Sequence, residues 1–212
     1  MKIIKSFGKG ASANTLRLTL CDTNASMTEA WLDKFYGVDG VEILEGDLLN
    51  TDADAVVSPA NSFGDMGGGV DKRIDDFFGG EAQNRVVRSI RERYYGEMPV
   101  GVAIVVPMPN ARFPFLVAAP TMRIPGEAAD GINAYLAMRG LLVAVYQHNA
   151  QSSPPIRSLA VSGLCTGVGG MSCGVSAHQM RVAYDNIVEG KWREVQHPAM
   201  APFAFTNKRY RS

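Results

Sequence analysis

Short apolar runs bounded by turn residues recur along the chain, and they limit its fold more than any other feature. They fall at 15–21, 41–45, 55–58, 100–106, 115–119 and 158–162. Runs of this length, rich in Val, Ile and Ala, read as strands, and several lack in-out alternation, as strands covered on both faces do. Between them lie helical stripes. Val70, Ile74, Phe77 and Phe78 follow i, i+4, i+7, i+8, then come Val86, Val87, Ile90 and Tyr94, then Ile132, Tyr135, Leu136, Leu142, Val143 and Tyr146. A last helix over 174–189 carries Met180, Ala183, Tyr184, Ile187 and Val188 on one face, with Gly190 as its stop.

Such strand and helix alternation predicts a three-layer α/β/α sandwich around a mixed central sheet. Ligands of such sheets bind at the carboxyl ends of the strands. No repeat or low-complexity linker divides the 212 residues. One globular unit is expected, in which residues 1–40 (a strand, then a helix around 27–36) form an extension packed on a domain spanning 41–212. The 21 basic and 21 acidic residues cancel, so no global positive field would hold a nucleic acid, and none is expected as partner. No apolar run reaches signal-peptide or membrane-spanning length, which predicts a cytoplasmic protein without membrane contact. Cys21, Cys165 and Cys173 form no C-x-x-C pair and no His-rich cluster, so free thiols are expected, with neither disulfide nor metal site.

Two glycine-rich loops each follow a strand and precede a helix. The first runs from Asn61 to Gly69 (NSFGDMGGG), the second from Thr166 to Gly170 (TGVGG). Backbone N–H groups of such loops, with a helix N-terminus behind them, suit a phosphate or diphosphate. Two facing one crevice would suit a dinucleotide-like ligand. Neither contains G-K-[ST] or the G-x-G-x-x-G spacing, which argues against a nucleoside triphosphatase and a Rossmann fingerprint.

The run GDLLNTDADAVVSPANSFGDMGGGVD resembles the macro domain signature: a Gly-Asp-hydrophobic turn, a D-A-[IV]-V strand, an Ala-Asn step and a Gly-Gly-Gly-Val loop, in that order. GLCTGVGGM resembles that family's second phosphate loop, and the likeness covers roughly 41–189. The resemblance implies an ADP-ribose-binding fold, with or without hydrolysis of ADP-ribosyl links, no cofactor, and ADP-ribose or an ADP-ribosylated protein as partner. It puts Asp47 at the adenine amino group and the Leu48 N–H beside it. Asn61 would contact the distal ribose, and Gly67, Gly68, Gly69 and Val70 would wrap that ribose and the diphosphate. Asp71 falls where hydrolytic members of one branch carry an aspartate that positions or activates water. Cys165, Thr166, Gly167, Val168 and Gly169 would cradle the phosphates. Asn61 and Asp71 are thus the catalytic candidates, with a helix dipole expected to keep Asp71 ionised.

Gly169 departs from the family pattern, since many members carry an aromatic there; the lid over the distal ribose is then missing or supplied by Phe63. Phe203 and Phe205 are the candidates for stacking on adenine. Plainer readings exist for each residue. Asp47 suits a turn cap, Asn61 an Asx-turn after Pro59, and Asp71 a first-turn helix position. Cys165 before a helix could also be a thiolate nucleophile with His178 as base, and Arg85, Arg88, Arg91 and Arg93 a solvated helix face. Two other functions compete with a hydrolase: a reader that binds ADP-ribose without chemistry, and a Rossmann-type methyltransferase binding S-adenosylmethionine, with the N-terminal strand, Asp22 and the VEILEGD segment as one half. The second lacks a glycine loop after that strand, which continues into Cys21-Asp22-Thr23-Asn24.

Overall fold

The computed structural model describes residues 1–6 and 16–204. Its strands are β1 (Lys2–Lys5), β2 (Arg17–Asp22), β3 (Val41–Glu45), β4 (Ala55–Ser58), β5 (Ile104–Pro107), β6 (Phe115–Ala118) and β7 (Ser158–Val161). Its helices are α1 (Ala25–Phe35), α2 (Gly69–Phe77), α3 (Glu81–Tyr94), α4 (Asn133–Gln151) and α5 (Cys173–Ile187). The strands form one sheet in the order β1-β3-β2-β7-β4-β6-β5. The five strands from β3 to β6 run parallel, while β1 and β5 are antiparallel edges. Helices cover both faces, so the architecture is the expected three-layer sandwich with a mixed sheet.

The unalternated runs become the central strands, and every residue of β4, β6 and β7 is buried. One face packs Leu18, Leu20, Val57 and Val161 against Trp31, Met138 and Met180 of α1, α4 and α5. The other packs Cys21, Val56, Leu116 and Ala160 against Ile74, Val86 and Ile90 of α2 and α3. The segment before residue 41 supplies an interior strand, because β2 lies between β3 and β7. α1 follows it, N-capped by Asn24, whose side chain accepts from Ser26 N. Trp31 of α1 is fully buried and donates its indole N–H to Met180 Sδ at 3.5 Å. Truncating so large a buried side chain costs about 3–5 kcal/mol.

Two strands differ from expectation. β1 is an exposed edge whose Lys-Ile-Ile-Lys carries no core signal. β5 begins at Ile104 rather than 100, since Gly101 adopts φ +96° and Pro99 accepts from Val102 N in a turn. Thr15 lies outside the described residues.

Candidate functional site

β2, β4 and β7 are neighbours and parallel, so their carboxyl ends, and the loops that leave them, meet on one edge of the sheet. The loop after β4 is held by Asn61. Its Oδ1 accepts from Phe63 N (3.0 Å) and Asp65 N (3.3 Å), and its Nδ2 donates to Asp65 O (3.0 Å). The Asx-turn reading of Asn61 therefore holds, and the turned loop also presents Asn61 to the crevice below. Ser62 N donates to the Met122 and Arg123 carbonyls, tying the loop to the chain beyond β6. Gly68 then N-caps α2 without a side chain, which leaves the first-turn N–H groups of the helix facing the crevice.

The loop after β7 is fixed from both flanks. Asp22 at the end of β2 accepts from Gly163 N at 3.0 Å, and Ser176 of α5 donates to Leu164 O at 2.7 Å. Cys165 takes a left-handed φ of +64°, and its carbonyl accepts from Met171 N at 3.0 Å. A Cβ on Gly169 would stand 2.6 Å from that carbonyl oxygen. The missing aromatic at 169 thus has a steric cause: this tight loop admits no side chain there. Gly68 and Gly167 are the opposite case, for a Cβ on either would meet no protein atom within 4 Å. Their bareness serves open space in the crevice, not packing.

Two crevices flank these loops. The first, about 220 Å³, is lined by Asn61, Gly68, Asp71, Cys165, Val168 and Gly169 among others. The second, about 420 Å³, includes Asp22, Asn24, Leu48, Arg73, Ser162 and Thr166. Gly69, Val70, Gly163 and Gly167 belong to both, so the backbone of the two glycine loops is their common wall. Of the residues read from sequence, Asp47, Gly67 and the aromatic candidates Phe63 and Phe203 line neither. Gly67 N donates to Asp65 Oδ1. Asp47 caps the short turn Leu48–Asn50 through Leu49 N and forms an ion pair with Arg73, whose side chain enters the second crevice instead.

Asp71 sits at the third position of α2, at the base of the first crevice, and its Oδ1 accepts the Ser58 hydroxyl at 2.6 Å. Desolvation raises its carboxyl from the ordinary 3.8 to about 6, with the Asp65 charge adding to the rise and the Ser58 hydrogen bond opposing it. The expected dominance of the helix dipole is corrected here: loss of water outweighs it. At neutral pH the group is still mostly ionised, yet close to the value that suits a base.

Other expectations are also corrected. Cys165 is buried, and burial pushes its thiol up to about 12, which disfavours the thiolate a nucleophile needs; His178 lies exposed on α5. Phe63 does not cover the first crevice. Its ring lies under the Arg123 guanidinium, 5.6 Å away, while Val168, 69% exposed, and Pro125 stand at the opening. Phe203 packs edge-on against Tyr135 and His178 and lines neither crevice. Phe205 lies outside the described residues.

Sequence reading missed Ser58, Ser162 and Arg73, and took Asp22 only as part of the methyltransferase alternative. Ser58 and Ser162 read as strand ends, and Asp22 stood in a segment without a motif. Arg73 alone carried a signal, lying two positions beyond Asp71 at the start of a helix. No group of three or more His, Cys, Asp or Glu able to hold a metal lies among the described residues, and no helix there is long and apolar enough to cross a membrane.

A family model described as Macro domain matches residues 57–180. An uncharacterized protein of Aeropyrum pernix is 32% identical over 147 residues, spanning 69% of this chain and 71% of that one. Another, of Aquifex aeolicus, is 30% identical over 140 residues, spanning 66% and 78%. Among solved structures, the macrodomain of Mycobacterium tuberculosis DarG superposes with a TM-score of 0.55 at 22% identity, covering 68% of this chain and 89% of that one. The Oceanobacillus iheyensis macrodomain with ADP gives 0.52 at 19%, covering 65% and 72%.

Proposed function

The chain belongs to the macro domain family, and from that premise we propose that it binds ADP-ribose across the two crevices and hydrolyses ADP-ribosyl links on proteins or small ADP-ribose derivatives. The observation that carries the proposal is Asp71: a carboxylate raised to about 6, held by Ser58, at the base of a crevice walled by two glycine loops. The ADP named with the Oceanobacillus macrodomain supports a nucleoside diphosphate as the class of ligand.

In this reading the diphosphate lies along the wall that the crevices share, where the N-terminal turn of α2 and the loop 163–169 offer N–H groups to an anion. The distal ribose enters the first crevice. Asn61, with Oδ1 already turned inward, keeps one amide N–H for a ribose hydroxyl. Asp71 accepts a proton from a water whose oxygen bonds to the anomeric carbon. The bond from that carbon to the leaving oxygen breaks, and the released group takes up a proton. The second crevice receives the nucleoside, with Arg73 in its lining and Asp47 paired to Arg73 from outside it.

Calorimetry with ADP-ribose, against AMP and S-adenosylmethionine, tests the binding half. Release of ADP-ribose from a modified protein by wild type and by Asp71→Asn tests the chemistry, with a drop of about 10²–10⁴-fold expected for loss of a general base. Binding without release by the wild type would make the protein a reader. Absence of binding would remove the proposal as a whole.

A further inference from the structure

Apart from the exposed Thr23, the polar side chains around the second crevice have partners, with Ser162 as the buried exception. Asp22 accepts from Gly163 N and Asn24 N, Thr166 donates to Gly163 O, and Arg73 pairs with Asp47. Ser162 Oγ is buried and makes no hydrogen bond to another protein atom, the one such side-chain nitrogen or oxygen among the described residues. Ser162 is 6% exposed and lines this crevice. Its direction follows from the strand before it. Leu159 and Val161 face the α1/α4/α5 side and Ala160 the α2/α3 side, so the next alternation turns Ser162 toward α2, where the crevice opens.

A buried hydroxyl without a partner costs free energy that alanine at the same position would not. Ser162 also adjoins Gly163 of the wall that the crevices share, to which Gly69 and Val70 of the N-terminal turn of α2 also belong. The free N–H groups at the start of α2 and the Arg73 guanidinium attract an anion there, against the opposing charge of Asp22, and a hydroxyl is a donor to an anion. We infer that Ser162 is a ligand-binding residue whose hydroxyl donates to a phosphoryl oxygen of the nucleoside diphosphate, at the phosphate nearer the second crevice. This rests on the proposed binding of ADP-ribose and adds to it a contact that the glycine loops do not supply.

Opposite signs in two measurements separate this role from a structural one. Ser162→Ala should melt at or above the wild-type temperature, yet bind ADP-ribose and ADP about tenfold or more weakly, while adenosine binding stays unchanged. Ser162→Gly should show the same loss of ADP-ribose affinity. The inference is overturned if Ser162→Ala binds ADP-ribose as the wild type does, if it melts lower, or if adenosine is weakened equally. Should the wild type bind no ADP-ribose, the proposed function fails by itself, and inorganic pyrophosphate becomes the probe. Weaker pyrophosphate binding by Ser162→Ala then supports the contact, and equal or absent binding overturns it.

Discussion

Replacing Asp71 by Asn should stabilise the protein at neutral pH and stop doing so in acid. The carboxyl is raised from 3.8 to about 6 in the folded state, so folding favours its protonated form. Above about pH 6 the folded chain must hold the charge that burial opposes. Below 3.8 both states are protonated and the penalty vanishes. A rise of roughly two pK units is worth about 3 kcal/mol at 1.36 kcal/mol per unit. Linkage then gives a penalty of about 3 kcal/mol near pH 7.5 that falls to about 1 kcal/mol near pH 4.5. For a domain of this size, 3 kcal/mol corresponds to about 6–12 °C in Tm. Asparagine fills the same volume and can still accept the Ser58 hydroxyl. Denaturant titrations of wild type and Asp71→Asn across that pH range should therefore show a variant that is more stable by an amount that shrinks on acidification. A difference that is constant with pH, or one that grows in acid, would refute the claim that desolvation sets the state of Asp71. The same variant should lose hydrolysis, so that stability and activity move in opposite directions.

Gly68→Ala and Gly169→Ala should part in a similar way. At 68 the backbone is extended (φ −147°) and the space is open, so the fold should keep its Tm while the new methyl group weakens ADP-ribose binding in calorimetry. At 169 the methyl group meets the Cys165 carbonyl, and a Tm drop equivalent to about 1–3 kcal/mol is expected. A thiol reagent in limited excess should label Cys173 first, because burial pushes Cys21 and Cys165 up to about 12 and Cys173 is partly exposed; mass mapping that finds Cys165 first would contradict this.

Much of the fold was legible because its central strands are buried on both faces and so read as unbroken apolar runs. Val41–Glu45 and Ala55–Ser58 fall where the sequence puts them. β1 was hidden because an edge strand, exposed at Lys2 and Ile3, needs no apolar pattern. The glycine loops were legible for a related reason, as bareness at Gly68 and Gly167 serves the crevice. What could not be read is which side chain faces which. Asp22 and Gly163 meet through strand order alone, and the Ser58–Asp71 hydrogen bond depends on where α2 begins. The environment of Asp71 was misjudged because the helix start is visible in sequence, whereas the desolvation that outweighs it is set by tertiary packing.

The strand order also bears on how the chain acquires its structure. β7 fills the slot between β2 and β4, and its register pairs Arg17 with Ser158 and Ala55 with Leu159. During synthesis β2 and β4 are therefore complete long before the strand that joins them has been made. Until then the sheet is two halves with unpaired inner edges, and such edges invite pairing with other chains. Contacts this distant in sequence also slow folding, since the loop must close before any of them forms. Closure of the sheet and creation of the ligand crevice are one event, because the strand that seals the gap delivers the loop 162–169. A nascent chain that stops short of β7 lacks the loop that walls both crevices and has two edges to protect.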